Sequence, residues 1–188
     1  MPATGYLAFA SDTLRQQGVL LRLARDEDRS LLQELFASTR AEELRQVPWT
    51  VEQKAAFTDW QSALQEQNYT EHYPGIERVI IGREGADRNA AGESGDFEAI
   101  GRVYIQTTAT DVRLMEITLL PIHRRQGIGT RVIGEVLRHA DALALPISLH
   151  VEPLNPAKRI YERMKFVVIE THGLYELMMR PAQMGTLR

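Results

Sequence analysis

The sequence predicts an α/β (α+β) protein built as one domain, with elements in the order β-αα-βββ-α-β-α-ββ. Three observations carry that reading. Apolar residues switch along the chain between the two-residue period of a half-buried strand and the 3.6-residue period of an amphipathic helix. Two long β-like runs, 97–107 and 112–120, flank Thr108–Asp111 and read as an antiparallel hairpin. A glycine-rich segment, Pro121 to Gly129, then joins the second run to a helix pattern.

Each element has its own signal. Residues 1–17 read as a loose or partly helical lead-in, and Val19–Leu23 as a first strand. Asp26 is a candidate helix cap, followed by Leu31, Leu32, Leu35 and Phe36 on one helical face. Pro48 breaks that segment. A second helix spans roughly 50–68, with Val51, Ala55, Trp60 and Leu64 as candidates for its buried side. Residues 78–82 form a short apolar strand. Gly85 to Asp96, rich in glycine, alanine and charge, reads as a mobile connection rather than a domain linker. The helix over 129–143 builds its face from Val132, Ile133, Val136, Leu137 and Ala140. A strand at 147–152, a helix at 156–164 and strands at 166–170 and 174–179 around His172-Gly173 complete the order. The expected division is an N-terminal extension (1–18), a single domain (19–181) and a C-terminal tail (182–188), with no internal repeat.

Composition narrows the function. At 188 residues the chain is long enough for one sizeable core. Its 44% hydrophobic and 25% charged residues are those of an ordinary globular protein. A net charge of −3 does not favour nucleic acid. The absence of cysteine excludes disulfides, thiolate zinc sites and a cysteine nucleophile. The five histidines show no metal-ligand spacing, so no metal is expected. No apolar run reaches the ~20 residues of a membrane span. The first residues lack a basic stretch and an apolar core of signal-peptide length, so a cytoplasmic location is expected.

The segment Pro121-Ile-His-Arg-Arg-Gln-Gly-Ile-Gly129 holds the most chemistry. A glycine-rich turn feeding a helix start gathers unpaired backbone N–H groups at the positive end of the helix dipole. That arrangement suits phosphate, and Arg124 and Arg125 add full charge there. A pyrophosphate-bearing ligand is the expectation. The dinucleotide fingerprint would need a third glycine where Val132 stands, and no Gly-Lys-Ser/Thr closes a P-loop. The competing reading is a strand-to-helix turn that needs only glycine's freedom.

Arg124-Arg125-Gln126-Gly127-Ile128-Gly129 resembles the Arg/Gln-x-x-Gly-x-Gly/Ala signature of the GNAT superfamily of N-acetyltransferases. Downstream, Asn155-Pro-Ala-Lys-Arg-Ile-Tyr161-Glu-Arg-Met-Lys-Phe166 resembles the superfamily's Asn-Pro-Ala-x-x-Leu-Tyr-Glu-x-Leu-Gly-Phe block. One helix and one strand separate the two, as in that family. Lys165 departs from the family's glycine. That glycine closes the helix in a left-handed conformation, and lysine there costs roughly 1 kcal/mol or forces a different cap.

The resemblance implies the GNAT fold, a mixed central sheet of six to seven strands splayed at its centre and flanked by about four helices. It implies acetyl-CoA as donor, lying between the strands 112–120 and 147–152, with the pantetheine arm added to the first of them like a strand. The Leu119 amide would face the thioester carbonyl, and Leu120 would also touch the donor. Amides from Arg125 through Gln126, Gly127, Ile128 and Gly129 to Thr130 would hold the pyrophosphate, helped by the Arg124 and Arg125 charges. Asn155 would bond the pantetheine, or serve only as the cap before Pro156. Tyr161 would protonate the leaving thiolate, its alternative being a core aromatic beside Ile160, Met164 and Phe166.

The acceptor amine must lose a proton before attack, because an alkylammonium has a pKa of ~10. Glu116, in the strand that carries Leu119, is the expected base. Alternation groups Met115, Ile117 and Leu119 on one face and Glu116, Thr118 and Leu120 on the other, unless a bulge changes the phase. His150 and Glu152 on the neighbouring strand are the backups. The first two helices of such a fold wall the acceptor site, and here they carry Arg40, Glu42, Glu43, Trp49, Trp60 and Tyr69. The leading expectation is acetyl transfer to a primary amine of a small molecule, with a homodimer admitted but not demanded. A non-catalytic acyl-CoA sensor and a protein N-terminal or lysine acetyltransferase stay open as alternatives.

Overall fold

The computed structural model describes residues 5–84 and 97–183. The connection expected over 85–96 and the last tail residues, 184–188, lie outside the described residues. Seven strands form one sheet in the order β1-β2-β3-β4-β5-β7-β6. They are β1 (Leu20–Leu23), β2 (Glu77–Glu84), β3 (Phe97–Thr107), β4 (Val112–Leu119), β5 (Ile147–Val151), β6 (Val167–His172) and β7 (Tyr175–Arg180). Every pairing is antiparallel except that of β4 with β5. The helices are α1 (Tyr6–Gln16), α2 (Arg29–Arg45), α3 (Val51–His72), α4 (Ile128–Ala142) and α5 (Lys158–Arg163).

The expected order of elements holds, with one helix added before it. Tyr6, Ala10 and Leu14 recur at helical spacing and are completely buried, so α1 is part of the core rather than a loose lead-in. The Glu77 carboxylate accepts from the backbone N–H groups of Tyr6 and Leu7 at 2.8 and 3.1 Å, which caps the start of α1. α1 and α4 lie together on one face of the sheet, where the main apolar cluster forms, and α4 buries Val132, Ile133, Val136 and Ala140 as its period predicts. Asp26 opens a short 3₁₀ turn instead of capping α2 directly. Asp28 is the buried acid at that corner, holding Arg22 at 2.6 and 2.7 Å and the Arg25 amide at 2.7 Å.

α3 corrects the expected buried side. Val51, Ala55, Trp60 and Leu64 are all exposed, Trp60 by 61%. The side turned to the sheet carries Thr58, Ser62, Gln65, Glu66 and Tyr69. The reason is the sheet itself, whose α3-facing residues include the wholly buried Arg102 and Tyr104. A polar sheet face calls for a polar helix face, which reverses the usual period rule.

Candidate active site

The site begins where β4 and β5 part. The two strands pair only at Val112↔Ile147, Arg113↔Ser148 and Leu114↔Leu149. Just beyond, Tyr104 pairs with Glu116 and Ile105 with Leu114, so Met115 is an extra residue without a β3 partner. Such a bulge bends its strand and raises the local twist. It also resets the alternation: Val112, Leu114, Ile117 and Leu119 all join the apolar cluster, while on the other face Glu116 accepts from Arg102 and from Thr118. β4 therefore turns away from β5 and leaves an open V between them.

Leu120 N–H donates to the Ile100 carbonyl at 2.9 Å and so points toward β3. Successive N–H groups of a strand point in opposite in-plane directions. The Leu119 N–H consequently faces the V, as an added strand or a carbonyl oxygen there would require. The Leu120 amide is already engaged within the sheet.

The turn after β4 builds an anion cradle. Pro121–His123 forms a 3₁₀ turn, after which Arg125 (φ 61°) and Gly127 (φ 79°) take left-handed conformations. Gly127 suits that conformation because it lacks a Cβ. α4 then starts, and Arg131 is the residue whose amide reaches Gly127's carbonyl, at 3.0 Å. The amides of Ile128, Gly129 and Thr130 precede it and have no acceptor inside the helix. A Cβ on Gly129 would meet nothing nearer than Leu119 Cδ1, at 3.9 Å. Protein packing therefore does not require glycine at this position, and the space in front of it is open to a ligand. The amides, the open glycine and the dipole of a fifteen-residue helix fit a diphosphate.

The arginines divide their work. Arg125 is exposed at the turn. Arg124 Nε donates to the Leu119 carbonyl at 2.8 Å, and its Nη2 to Ser38 Oγ on α2 at 2.7 Å. Gln126 Nε2 donates back to the Ile122 carbonyl at 2.9 Å, which closes the turn. Arg131 was not foreseen: a Cβ on Gly127 would lie 3.8 Å from its Nη2, which places a further cation beside the cradle. Its i,i+4 spacing from Gly127 on a helix start was the available signal.

Glu116 sits at the heart of a buried polar group. Its Oε1 accepts from Arg102 Nε at 3.0 Å, Arg102 Nη2 at 2.5 Å and Thr118 Oγ1 at 3.1 Å. Its Oε2 is buried without a hydrogen-bond partner among the described residues. Burial works against the Arg102 charge, but Glu116, Tyr104 and Glu66 outweigh it and hold the guanidinium's pKa above its usual value. Tyr104 donates to Glu66 at 2.8 Å, and burial raises its pKa far out of the physiological range.

After β5, Asn155 Oδ1 accepts from the Ala157 amide at 2.9 Å, an Asx turn that leads into α5, whose own N-cap is Ala157 rather than the expected Asn155. Its amide nitrogen is exposed and free for a second bond. Tyr161 is 7% exposed and meets Phe166 edge-on at 5.7 Å between ring centroids. Burial pushes its phenol up to about 12, so it carries its proton throughout the neutral range. Lys165 takes φ 70°, and the Phe166 N–H reaches the Tyr161 carbonyl at 3.0 Å, so the helix closes as glycine would close it. His150 is exposed on β5, its pKa lowered by partial burial and by Arg113 and His172.

The charged and aromatic side chains of α2 and α3 are mostly self-satisfied. Arg40 pairs with Glu43 at 3.2 Å and Arg45 with Glu42. Trp49 packs against Phe57 at 5.2 Å, Trp60 is outward-facing, and Tyr69 lies on Tyr104 at 5.9 Å. None of these side chains marks an acceptor by itself. Among the described residues no helix is long and apolar enough to cross a membrane.

The family model described as "Acetyltransferase (GNAT) family" matches residues 39–166, which contain β4, the cradle, α4, β5 and α5. Among solved structures, a PaiA N-acetyltransferase from Thermoplasma acidophilum in complex with coenzyme A shares 15% identity. It covers 87% of this chain and 98% of its own, with a TM-score of 0.60. An acetyltransferase from Thermus thermophilus shares 16% identity over 87% of this chain and 96% of its own, with a TM-score of 0.58. The ribosomal-protein-S18-alanine N-acetyltransferase from Escherichia coli shares 15% identity over 90% of this chain and 98% of its own, with a TM-score of 0.52. At these identities the likeness concerns the fold. No curated protein sequence matches the chain significantly.

Proposed function

We propose that this chain, which belongs to the acetyltransferase (GNAT) family, transfers acetyl from acetyl-CoA to a primary amine of a small molecule by direct attack on the thioester. The observation that carries the donor assignment is the amide cradle at the start of α4, with Gly129 open to ligand, at the mouth of the β4–β5 splay. The coenzyme A bound by the Thermoplasma acidophilum protein supports the same donor here. Direct attack is favoured over a thiol-linked acyl enzyme because the chain contains no cysteine.

Each residue then has a task. The amides from Arg125 to Thr130 hold the diphosphate, with Arg125 and Arg131 supplying charge. The Leu119 N–H donates to the thioester carbonyl oxygen as charge gathers on it. Asn155 uses its amide nitrogen on the pantetheine arm while its oxygen holds the turn that leads into α5. Tyr161, protonated at neutral pH, gives its proton to the departing thiolate. Glu116 takes the ammonium proton through Oε2, the oxygen that Arg102 leaves free. We place the enzyme in the cytoplasm, where acetyl-CoA is at hand, and take the exposed apolar edge strand β6 as the surface for a homodimer.

The test is a panel of small amines, amino acids and peptides, read by acetyl-CoA-dependent CoA release. Turnover on small amines supports the proposal. Turnover confined to peptide termini or lysines replaces the acceptor class, and CoA binding without turnover makes the chain a sensor. Tyr161→Phe should lower kcat tenfold or more while leaving the CoA Kd within about threefold. Unchanged kcat removes Tyr161 as the acid.

A further inference from the structure

We infer that Arg124 is a positioning residue that ties the acceptor-side helix α2 to the donor cleft, and that it is not a ligand of the diphosphate. The inference rests on the donor site proposed above and assigns one of its arginines a different duty. The two arginines of the turn look equivalent in sequence, yet the structure separates them. Arg124 Nε donates to the carbonyl of Leu119 at 2.8 Å, and Nη2 to Ser38 Oγ at 2.7 Å. Within a strand, the N–H and C=O of one residue point to the same side. The Leu119 carbonyl therefore faces the β4–β5 V beside the Leu119 N–H, and Arg124 grips the last peptide of β4 from the cleft side.

Two consequences follow from the chemistry. A planar guanidinium with two fixed directions of donation sets the spacing between β4 and α2, which a flexible ammonium does not. Ser38 lies on the helix that carries Arg40 and Glu43 toward the acceptor side. The strut thus couples the orientation of the Leu119 peptide to the acceptor wall. A phosphate ligand, by contrast, would need those N–H groups free. Arg125, at φ 61° on the same turn and exposed, has that freedom, whereas Arg131 already commits Nη1 to the Gln17 carbonyl at 2.9 Å and keeps only Nη2 beside the cradle.

The experiment compares R124A, R124K, R125A and wild type by CoA calorimetry, by kinetics on the best amine of the panel, and by hydrogen exchange over 35–42. Wild type that fails to bind CoA overturns the donor assignment, and with it this inference. Where wild type binds, R124A should keep its CoA Kd within about threefold while R125A weakens tenfold or more. R124A should lower kcat or raise the acceptor KM at least tenfold, and R124K should recover only part of that loss, because lysine cannot reach both acceptors at once. Without any acceptor, exchange over 35–42 should be faster in R124A than in R125A. Equal loss of CoA affinity in R124A and R125A, or kinetics and exchange in R124A that match wild type, overturns the role of Arg124.

Discussion

Replacing Gly129 by aspartate should separate the stability of the protein from its affinity for donor. Gly129 is the second residue of α4, with no protein atom nearer than 3.9 Å to the Cβ it lacks. Aspartate therefore enters without a clash. In the first turn of a helix its carboxylate is favoured by about 0.3–1 kcal/mol, and leaving glycine adds a few tenths more. The ligand-free variant should melt at or above the wild-type temperature. The donor tells the opposite story. A diphosphate seated on the Ile128–Thr130 amides brings a negative charge to within about 4 Å of that carboxylate, a repulsion of ~4 kcal/mol at an effective dielectric constant of about 20. That is a loss in CoA affinity of about a thousandfold. Calorimetric titration with CoA measures the loss, and a thermal melt without ligand checks the fold. Gly129→Ala is the control, stabilising the free protein and keeping CoA affinity within about tenfold. A Gly129→Asp protein that binds CoA within tenfold of wild type would refute the placement of the cradle.

Three other perturbations follow from the same structure. Arg102→Met leaves Glu116 and Glu66 without their buried counter-charge and should cost about 3–5 kcal/mol in urea unfolding, part of which Glu116→Gln in the same chain restores; a cost below about 1 kcal/mol contradicts the buried pair. His139 is 1% exposed between Tyr6 and Phe9, and burial holds its pKa below the ordinary value. The unfolded chain then takes up a proton below about pH 6.5 that the native imidazole refuses, so stability should fall as pH drops from there. His139→Gln should flatten that slope in denaturant titrations at pH 7.5 and 5.5, leaving the contribution of His150; an unchanged slope removes His139 as its source. Lys165→Gly should raise stability by about 1 kcal/mol by relieving the left-handed lysine, and a drop would show that the side chain contributes more than its strain costs.

Much of the fold was legible because α4 obeys a single-period rule and the β3–β4 hairpin is bracketed by a clear turn signal. Val132, Ile133, Val136 and Ala140 repeat at helical spacing and are buried, and the hairpin spans the residues its turn signal implies. α3 was misread for a physical reason. The period argument assumes an apolar sheet face, and the charge of Arg102 on β3 turned the polar side of α3 inward. Nothing in the local sequence marks that reversal, since Arg102 sits between Gly101 and Val103 in an otherwise ordinary strand. The bulge at Met115 is equally silent, although it is what turns β4 away from β5 and puts Leu114 on the Leu119 face. α1 escaped full notice because Tyr6, Ala10 and Leu14 are too few to define a face until α4 is seen to cover them.

At the site, the glycine turn was legible because backbone chemistry needs only the turn and the helix start. Side-chain duties were not. Arg124 and Arg125 differ only in which way the chain turns between them, and that depends on the left-handed conformation at Arg125. Asn155 reads in sequence as the cap of α5, yet its oxygen holds an Asx turn ahead of the helix and Ala157 takes the cap position.

Backbone ¹⁵N–¹H spectra recorded through a CoA titration read the cradle amide by amide. The amides of Gly127, Ile128, Gly129 and Thr130 should shift first and furthest, with Leu119 following and Leu120 shielded by its bond to Ile100. Shifts that saturate elsewhere while those four amides stay in place would contradict a donor seated on that cradle.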